Sequence, residues 1–278
     1  MERGAGRVPI NRVPYVVEQA LGVLAGLKHV ILVGSKTPVA FFAYPNKPSV
    51  LVPPDCVSHT LSTAAEDGMH ALEWLAEELG ATSTPVTFNP LAPPGKATGP
   101  ITPDALARSL GALLPENAIV TDEGVTTGRG FFPSTHGARP HTWLANMGGS
   151  IGIGLPLAAG AAIACPDRKV VALQADGSAM YTPQALWTMA RESLDVTVAL
   201  FSNRSYAILR GELANVGAGN PGQKALDMLD LSRPDLDWVS LARGMGVPAT
   251  RVTDMDGFNR HFAEGLATPG PYLVEVAM

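Results

Sequence analysis

The feature that most constrains the fold is a regular alternation of short apolar strands and helices in the C-terminal two thirds of the chain. Strands are predicted at residues 118–121, 169–175, 196–201 and 272–276. Helices are predicted at residues 103–114, 182–193, 238–244 and 258–267, and a glycine-rich turn with a helix at 148–164. Strands alternating with helices predict a parallel α/β sheet that is covered by helices on both faces.

The chain divides into three parts by its sequence pattern. Residues 1–82 contain a predicted buried strand at 29–34, a second strand at 49–52 and a helix at 70–79, which predicts a partial α/β domain. Residues 83–100 contain five prolines and two glycines, which indicates an interdomain linker. Residues 101–278 then form the regular α/β domain.

Composition excludes several classes of protein. Hydrophobic residues make up 46% and charged residues 16% of the 278 residues, so a sizeable core is expected and disorder is not. The net charge of −5 gives no basic surface for nucleic acid. The two cysteines, Cys56 and Cys165, are far apart, which disfavours zinc and suits a reducing compartment. With no membrane-spanning run or signal-peptide core, we expect a cytoplasmic protein.

Polar residues follow two successive predicted strands. Asp176 comes directly after one strand and begins the run Asp176-Gly177-Ser178, while Asn203 follows the next strand. The carboxyl ends of parallel strands open on one edge of the sheet, where ligands bind. A carboxylate and an amide oxygen there fit Mg²⁺, and Gly177 and Ser178 could approach a phosphate. The alternative is an acidic turn and an asparagine cap without a ligand.

The spacing of these residues resembles the GDG…NN signature of thiamine diphosphate-dependent enzymes, with 26 residues between Asp176 and Asn203. The segment GGSIGIGLP at 148–156 is similar to a glycine-rich segment of the family, and DEGVTT at 122–127 stands where the family has a diphosphate-binding loop. The resemblance covers about residues 100–278 and is to acetolactate synthases and benzoylformate decarboxylases. Residues 1–82 resemble the second half of their central domain.

The resemblance implies roles for eight residues. The implied Mg²⁺ ligands are Asp176, Asn203 and the carbonyl oxygen of Ser205. The implied contacts with thiamine diphosphate come from Thr126, Gly149, Ile151, Gly177 and Ser178.

Two of these cofactor contacts have specific roles in the resemblance. Ile151 would be the bulky residue under the bent cofactor, and the carbonyl of Gly149 would accept a hydrogen bond from the aminopyrimidine. The alternatives are that Ile151 is an ordinary core residue and that Thr126 caps a helix. Two departures from the family pattern, Ala175 for glycine and Ser202 for asparagine, do not replace an implied ligand.

Some family features have no counterpart in these 278 residues. The glutamate that activates the cofactor lies in an N-terminal pyrimidine-binding domain of the family, so we assign no catalytic residue here and expect a truncated or split gene product. Residues 36–42 lack the arginine-rich FAD segment of acetolactate synthases, so FAD is not supported. The benzoylformate decarboxylase histidine is also missing near Ala43.

The sequence therefore predicts a thiamine diphosphate- and Mg²⁺-dependent component that decarboxylates or ligates a 2-oxo acid. It would work as a homo-oligomer or with a chain that carries a pyrimidine-binding domain, and we expect the isolated chain to be inactive. The alternatives are a cofactor-binding fragment without catalysis and a lyase similar to benzoylformate decarboxylase. An unrelated nucleotide-binding α/β domain is disfavoured, because neither a Walker motif nor GxGxxG after a first strand is present.

Overall fold

The computed structural model describes residues 1–81, 83, 85 and 87–278. The strands of this described part are β1 Glu2–Arg3, β2 His29–Val33, β3 Val57–Ser62, β4 Ile119–Glu123, β5 His141–Ala145, β6 Val170–Ala175, β7 Val196–Ser202, β8 Ala249–Val252 and β9 Tyr272–Ala277. The helices are α1 Val17–Leu24, α2 Gly68–Glu78, α3 Pro103–Leu113, α4 Phe131–Ser134, α5 Gly154–Ala164, α6 Asp176–Ala179, α7 Ala185–Arg191, α8 Ala207–Asn215, α9 Gln223–Asp227, α10 Trp238–Gly244 and α11 Met255–Ala267, with a 3₁₀ turn at Thr127–Gly130. None of the helices in these described ranges is long and apolar enough to cross a bilayer.

The chain forms two compact units. The larger unit contains Met1–Pro9, Thr87–Glu212 and Asn220–Met278. The smaller unit contains Ile10–Val86 and Leu213–Gly219. Each unit has its own sheet and its own apolar core.

The larger unit is built on one seven-stranded sheet with the order β1-β5-β4-β6-β7-β9-β8. All neighbouring pairs are parallel except β1 with β5, which is antiparallel. The predicted parallel α/β sheet is thereby confirmed. β5 and β8 were not predicted, since each is a run of four or five residues that contains a polar or charged side chain.

Helices cover both faces of this sheet, as predicted. Successive strand residues point to opposite faces, so each strand contributes to two separate cores. On one face, α5, α7 and α10 pack on alternate strand residues such as Val198 and Leu200. On the other face, α3, α4 and α11 pack on Ala199 and Phe201.

The ends of two predicted segments belong to the larger unit. Residues 1–9, placed by sequence with 1–82, join it because β1 pairs with β5 and Arg3 is buried. The guanidinium of Arg3 lies 3.2 Å from the centre of the Phe132 ring and donates to the carbonyl of Phe132 at 2.6 Å. Residues 87–100, placed in the linker, also pack on this unit, where buried Ala97 donates its amide hydrogen to Ser109 Oγ. The predicted boundaries therefore differ from those of the structure.

The smaller unit contains a parallel pair of strands, β2 and β3, and the helices α1 and α2. Its core is small and consists of Val17, Ala20, Leu24, Tyr44 and Leu51.

Two details of the smaller unit correct the sequence predictions. The strand expected to be buried at 29–34 forms, but within it only Leu32 is buried, because two strands offer little shielded surface. Residues 49–52 form an isolated bridge between Val50 and Val39 and no strand. The partner of β2 is instead β3, whose polar sequence VSHTLS hid it in the sequence pattern.

Candidate functional site

The implied ligands lie at the carboxyl edge of four neighbouring parallel strands, β5, β4, β6 and β7. From β4 the chain goes to β5 on one side and then returns to β6 on the other side, so the strand order reverses at β4. A reversal of this kind leaves a crevice at the carboxyl ends of the strands, which is where open α/β sheets bind ligands. The loops that follow these four strands supply the residues described next.

Asp176 follows β6 directly and is buried, with 2% of its surface exposed. Its Oδ1 accepts a hydrogen bond from the amide of Gly177 at 2.8 Å, and its Oδ2 accepts one from the amide of Arg204 at 2.7 Å. Burial raises the pKa of Asp176, while the backbone donors act in the opposite direction. In the described residues no lysine, arginine or histidine forms an ion pair with this carboxylate, so a bound cation would relieve its desolvation.

Asn203 follows β7, the strand next to β6. Its side-chain oxygen accepts a hydrogen bond from the amide of Ser205 at 3.0 Å, which folds the loop after β7 into a tight turn. Arg204 between them has φ of +55°, a left-handed conformation that glycine would adopt without strain. Because the amide of Arg204 reaches Asp176, the two loops that carry the implied ligands are joined.

Ser205 is anchored on its other side. Its hydroxyl donates to the carbonyl of Leu229 at 3.1 Å, and its backbone forms an isolated bridge with Asp230. The loop that carries the implied carbonyl ligand is thus fixed at both ends.

An added Cβ at Gly177 would lie 2.7 Å from the ring of Tyr206, so any larger residue there would have to displace that ring. Ser178 is buried, and its hydroxyl donates to the carbonyl of Ala175 at 3.2 Å while it accepts from Gln174 Nε2 at 2.9 Å. The hydroxyl of Ser178 is therefore engaged within the protein. Ala175 has φ of −94° and ψ of 149°, an extended conformation open to any residue.

The glycine-rich segment forms an exposed turn before α5. Gly148, Gly149 and Gly152 have φ of 63°, 68° and 95°, so each adopts a conformation that favours glycine. Ile151 is 38% exposed, which is incompatible with the alternative of an ordinary core residue. The carbonyl of Gly149 accepts from the amide of Ile151 at 2.9 Å and retains a second lone pair.

Thr126 lies in the loop after β4 and is half-buried. Its side chain makes no capping hydrogen bond to the 3₁₀ turn that follows, so the alternative of a helix-capping threonine is not realised. Val125, directly before it, has φ of +45°, which is a strained conformation for a β-branched residue. Strain of this kind is concentrated at functional sites.

Sequence reasoning missed the polar side chains beneath the glycine-rich turn. Glu123 at the end of β4 is buried and accepts hydrogen bonds from the amides of Gly152 and Gly154. Gln174 on β6 is also buried and donates to the same carboxylate. Gln174 inside the apolar run of β6 was the available signal, whereas Glu123 follows Thr121 and Asp122 in a segment predicted as a loop and gave none.

The donor set is compatible with Mg²⁺ and thiamine diphosphate. Among the described residues no group of three His, Cys, Asp or Glu side chains comes together, which disfavours a transition-metal centre. One carboxylate with an amide oxygen and a backbone carbonyl are the hard ligands that Mg²⁺ takes, with positions left for phosphate oxygens. The side-chain oxygen of Asn146, after β5, is buried without a hydrogen-bond partner among the described residues, as expected for a group that faces a ligand.

The fold and this edge of the sheet define the class of protein. Residues 130–276 match the family described as "Thiamine pyrophosphate enzyme, C-terminal TPP binding domain". The match covers more than half of the chain, and the chain belongs to this family. The resemblance stated from the sequence is thereby confirmed.

Two curated proteins are similar in sequence to this chain. The chain is 49% identical over 284 residues to a Mycobacterium tuberculosis protein provisionally named acetolactate synthase large subunit IlvX, covering 100% of this chain and 54% of that protein. It is 30% identical over 207 residues to benzoylformate decarboxylase of Pseudomonas aeruginosa, covering 74% of this chain and 38% of that enzyme. The chain thus spans about half or less of the length of these curated relatives.

A solved structure has the same fold over nearly the whole chain. The thiamine diphosphate-dependent 4-hydroxybenzoylformate decarboxylase of Rhodococcus jostii RHA1 superposes with a TM-score of 0.74 at 26% identity. The superposition covers 96% of this chain and 51% of that enzyme.

Proposed function

We propose that the larger unit binds Mg²⁺ and thiamine diphosphate at the carboxyl edge of its sheet. The observation that carries the proposal is the buried carboxylate of Asp176, which has only backbone donors and lies beside the turn made by Asn203. A cation at this point would satisfy the carboxylate, the Asn203 oxygen and the carbonyl of Ser205. The diphosphate would add oxygen ligands and bring the negative charge that the cation balances.

The remaining residues would hold the other parts of the cofactor. Gly177 would contact the diphosphate through its backbone, since the ring of Tyr206 lies where a side chain would be. The amide of Ser178 is a better candidate for a phosphate contact than its engaged hydroxyl. Thr126 has a side chain free of capping and would contact the diphosphate from the loop after β4. Ile151 and the carbonyl of Gly149 would contact the rest of the cofactor from the exposed turn.

Calorimetry with thiamine diphosphate tests the binding proposal. We expect binding in the presence of Mg²⁺ and little binding after treatment with EDTA, because the diphosphate would face Asp176 without a neutralising cation. Equal affinity under both conditions would contradict the role of the metal.

Variants of the two implied side-chain ligands should differ. Asp176→Ala should remove most binding, since it deletes the anionic ligand, whereas Asn203→Ala should cost less because water can replace a neutral ligand. Asp167→Ala is a matched control, because this exposed aspartate precedes β6 at the opposite edge of the sheet. Loss of affinity in the control equal to that of Asp176→Ala would contradict the assignment.

We further propose that the protein takes part in the decarboxylation or ligation of a 2-oxo acid. When bound, thiamine diphosphate supplies an electron sink for this chemistry. The chain orients the cofactor through the glycine-rich turn and the metal ligands. The names of two relatives, an acetolactate synthase large subunit and a benzoylformate decarboxylase, support this class of substrate.

Turnover should require a pyrimidine-binding domain, supplied by another chain or by another part of a longer one. Such a domain would bring the glutamate that activates the cofactor, and the loss of a positioned acid–base group costs roughly 10²–10⁴-fold. We therefore expect the 278-residue chain alone to bind the cofactor without useful turnover of pyruvate. Proton–deuterium exchange at the thiazolium carbon should be no faster than in free cofactor. Rapid exchange by the pure chain would show that the activating group is already present.

Association of the larger unit with a second subunit is also part of this proposal. One side of α5 is buried, while its other side exposes Pro156, Gly160 and Ile163, spaced so that they lie along one face of the helix. An exposed apolar helix face of this kind is typical of a subunit interface. Light scattering at tens of micromolar should show a species larger than a monomer, and a clean monomer would count against association.

A further inference from the structure

We infer that Glu123 and Gln174 position the glycine-rich turn relative to the diphosphate site, and we call this pair the carboxylate clamp. The inference rests on the proposed function and adds positioning residues to it. Neither residue would touch the cofactor. Both would act through the backbone of Gly152 and Gly154 on one side and through Ser178 on the other.

The carboxylate of Glu123 is held by three neutral donors. Only 1% of the residue is exposed. Its Oε1 accepts from the amide of Gly152 at 2.7 Å, and its Oε2 accepts from the amide of Gly154 at 2.9 Å and from Gln174 Nε2 at 2.7 Å. A carboxylate can accept all three bonds, and bonds to a charged acceptor are stronger than those to a neutral one.

Gln174 extends this network to the residues beside the implied metal ligand. It lies opposite Glu123 in the register of β4 and β6, and its Nε2 also donates to Ser178 Oγ at 2.9 Å. Ser178 in turn donates to the carbonyl of Ala175, the residue before Asp176. A continuous path of hydrogen bonds therefore connects the glycine-rich turn to the loop of Asp176.

Two glycines of the turn pack closely against the clamp and against the segment after α6. A Cβ added to Gly154 would lie 2.7 Å from Glu123 Oε2 and would overlap Gln174 Oε1. On the other side, a Cβ at Gly152 would lie 2.6 Å from Tyr181 Cβ. The carbonyl of Gly152 accepts from Thr182 Oγ1 at 2.6 Å, so the turn is fixed above and below.

Among the residues that the structure describes, the exposed part of the turn makes only local hydrogen bonds. Gly149 and Ile151 form a local hydrogen bond with each other, and both are exposed. Because Ile151 directly precedes Gly152, its position is set by the clamp one residue away. The geometry thus assigns Glu123 the task of placing the groups that contact the part of the cofactor beyond the diphosphate.

The variant Glu123→Gln tests this assignment in the full chain. Glutamine retains the shape, but its NH₂ group would face a backbone N–H, and one of the three donors would lose its acceptor. Calorimetry should show at least about a tenfold loss of affinity for thiamine diphosphate with Mg²⁺, since a bond to a charged group contributes that much. Affinity for inorganic diphosphate with Mg²⁺ should change less than about threefold, because the metal ligands stay in place.

Three further variants serve as controls. Glu116→Gln removes one exposed carboxylate from the same unit and should leave both affinities unchanged. Gln174→Met removes the link to Ser178 but leaves the bonds to the turn, and it should give a smaller loss specific to thiamine diphosphate. The double variant Glu123→Gln/Gln174→Glu restores a complementary pair and should recover part of the affinity. Gln174→Met and the double variant carry the test if Glu123→Gln does not fold.

Thermal unfolding of the cofactor-free variants completes the experiment. If the wild type binds thiamine diphosphate and the variant Glu123→Gln binds it with equal affinity, the positioning role is wrong and the proposed function still stands. Equal loss of both ligands, with a lowered melting temperature, would also overturn it, because that is the result of a purely structural role. Wild type that binds no thiamine diphosphate in Mg²⁺ would overturn both proposals.

Discussion

Both units contain strands of apolar sequence, but the larger unit buries its strands and the smaller unit leaves most of its strand residues exposed or partly exposed. In the larger unit, every residue of β7 is buried and helices cover both faces of the sheet. In the smaller unit, β2 and β3 form a two-stranded sheet, and no residue of α2 is buried. Large apolar side chains are exposed there, namely Ile31, Val39, Phe41, Phe42, Leu72 and Trp74.

The difference teaches that the number of layers decides how much an apolar sequence contributes to stability. The strand HVILV of the smaller unit is as apolar as VVALQA of β6, but only one of its residues is buried. Two strands without helices on both faces cannot exclude water, and a pair of strands alone is marginally stable. We therefore expect the free energy of unfolding to reside mainly in the larger unit.

Amide hydrogen exchange should show the largest contrast. Amides of β6 and β7 should exchange only on global unfolding, whereas those of β2 and β3 should exchange through local opening. If the free energy of opening is about 3 kcal/mol higher for β6 and β7 than for β2 and β3, the amides of β6 and β7 exchange roughly a hundredfold more slowly. Mass spectrometry of exchanged peptides would detect this difference. Equal protection of both strand pairs from exchange would contradict the expected difference in stability between the two units.

A matched pair of phenylalanine substitutions should give the next largest difference in stability. Phe201 is 1% exposed and packs 5.0 Å from the ring of Phe131, whereas Phe41 is 48% exposed. Phe201→Ala should destabilise by about 3–5 kcal/mol through a cavity, and Phe41→Ala by less than about 1 kcal/mol. Urea unfolding of both variants checks the prediction, and similar losses would show that the smaller unit buries more than its exposed side chains indicate.

A buried carboxylate gives the larger unit a pH dependence. Glu275 on β9 is 1% exposed, and burial raises its pKa, with Arg251 Nε 3.9 Å away compensating in part. Because its folded pKa lies above its unfolded one, the ionised group lowers stability as pH rises through the folded pKa, and below the unfolded pKa this cost is absent.

The variant Glu275→Gln removes that cost. It should raise the free energy of unfolding of the larger unit by about 1–2 kcal/mol at neutral pH, which is within the cost of a poorly satisfied buried group. The gain should disappear near pH 4.5, the ordinary pKa of glutamate. Urea unfolding at both pH values measures it, with Glu116→Gln as an exposed control. A gain that persists unchanged at acid pH would contradict ionisation as the cause.

Replacing helix caps should give the smallest effects on stability, and each effect should stay within the unit that carries the cap. Thr102 accepts from the amide of Ala105 at the start of α3, and Asp67 accepts from the amides of Met69 and His70 at the start of α2. Alanine at either cap should cost about 1 kcal/mol. Peptide-resolved hydrogen exchange should show Thr102→Ala weakening α3 alone and Asp67→Ala weakening α2 alone. Spread of either effect to the other unit would mean that the two units unfold together.

Much of the larger unit was accessible from the sequence because its signals are local. The pair Thr102-Pro103 marked the start of α3, and the apolar runs that became β6 and β7 ended at Asp176 and Asn203. Strand ends on one edge of a parallel sheet follow from chain geometry, so the juxtaposition of the two loops could be foreseen. The family followed from the same residues.

The remaining features depend on contacts between distant residues. Glu123 gave no sign in sequence that its carboxylate would accept bonds from Gly152 and Gly154, some thirty residues later. The strand β3 was hidden because His59 and Thr60 are exposed and carry no apolar alternation. Burial and pairing of this kind arise only when the fold brings segments together, so periodicity cannot predict them.

The backbone of the loop after β6 bears on how diverged relatives of this chain are recognised. A search pattern that demands glycine before the aspartate would reject this sequence, although Ala175 lies in an extended conformation that every residue can adopt. By contrast, Gly177 cannot be replaced without displacing Tyr206. A search pattern weighted by these steric demands would keep the aspartate, the glycine after it and the asparagine of the next strand, and would leave the neighbouring positions free to vary.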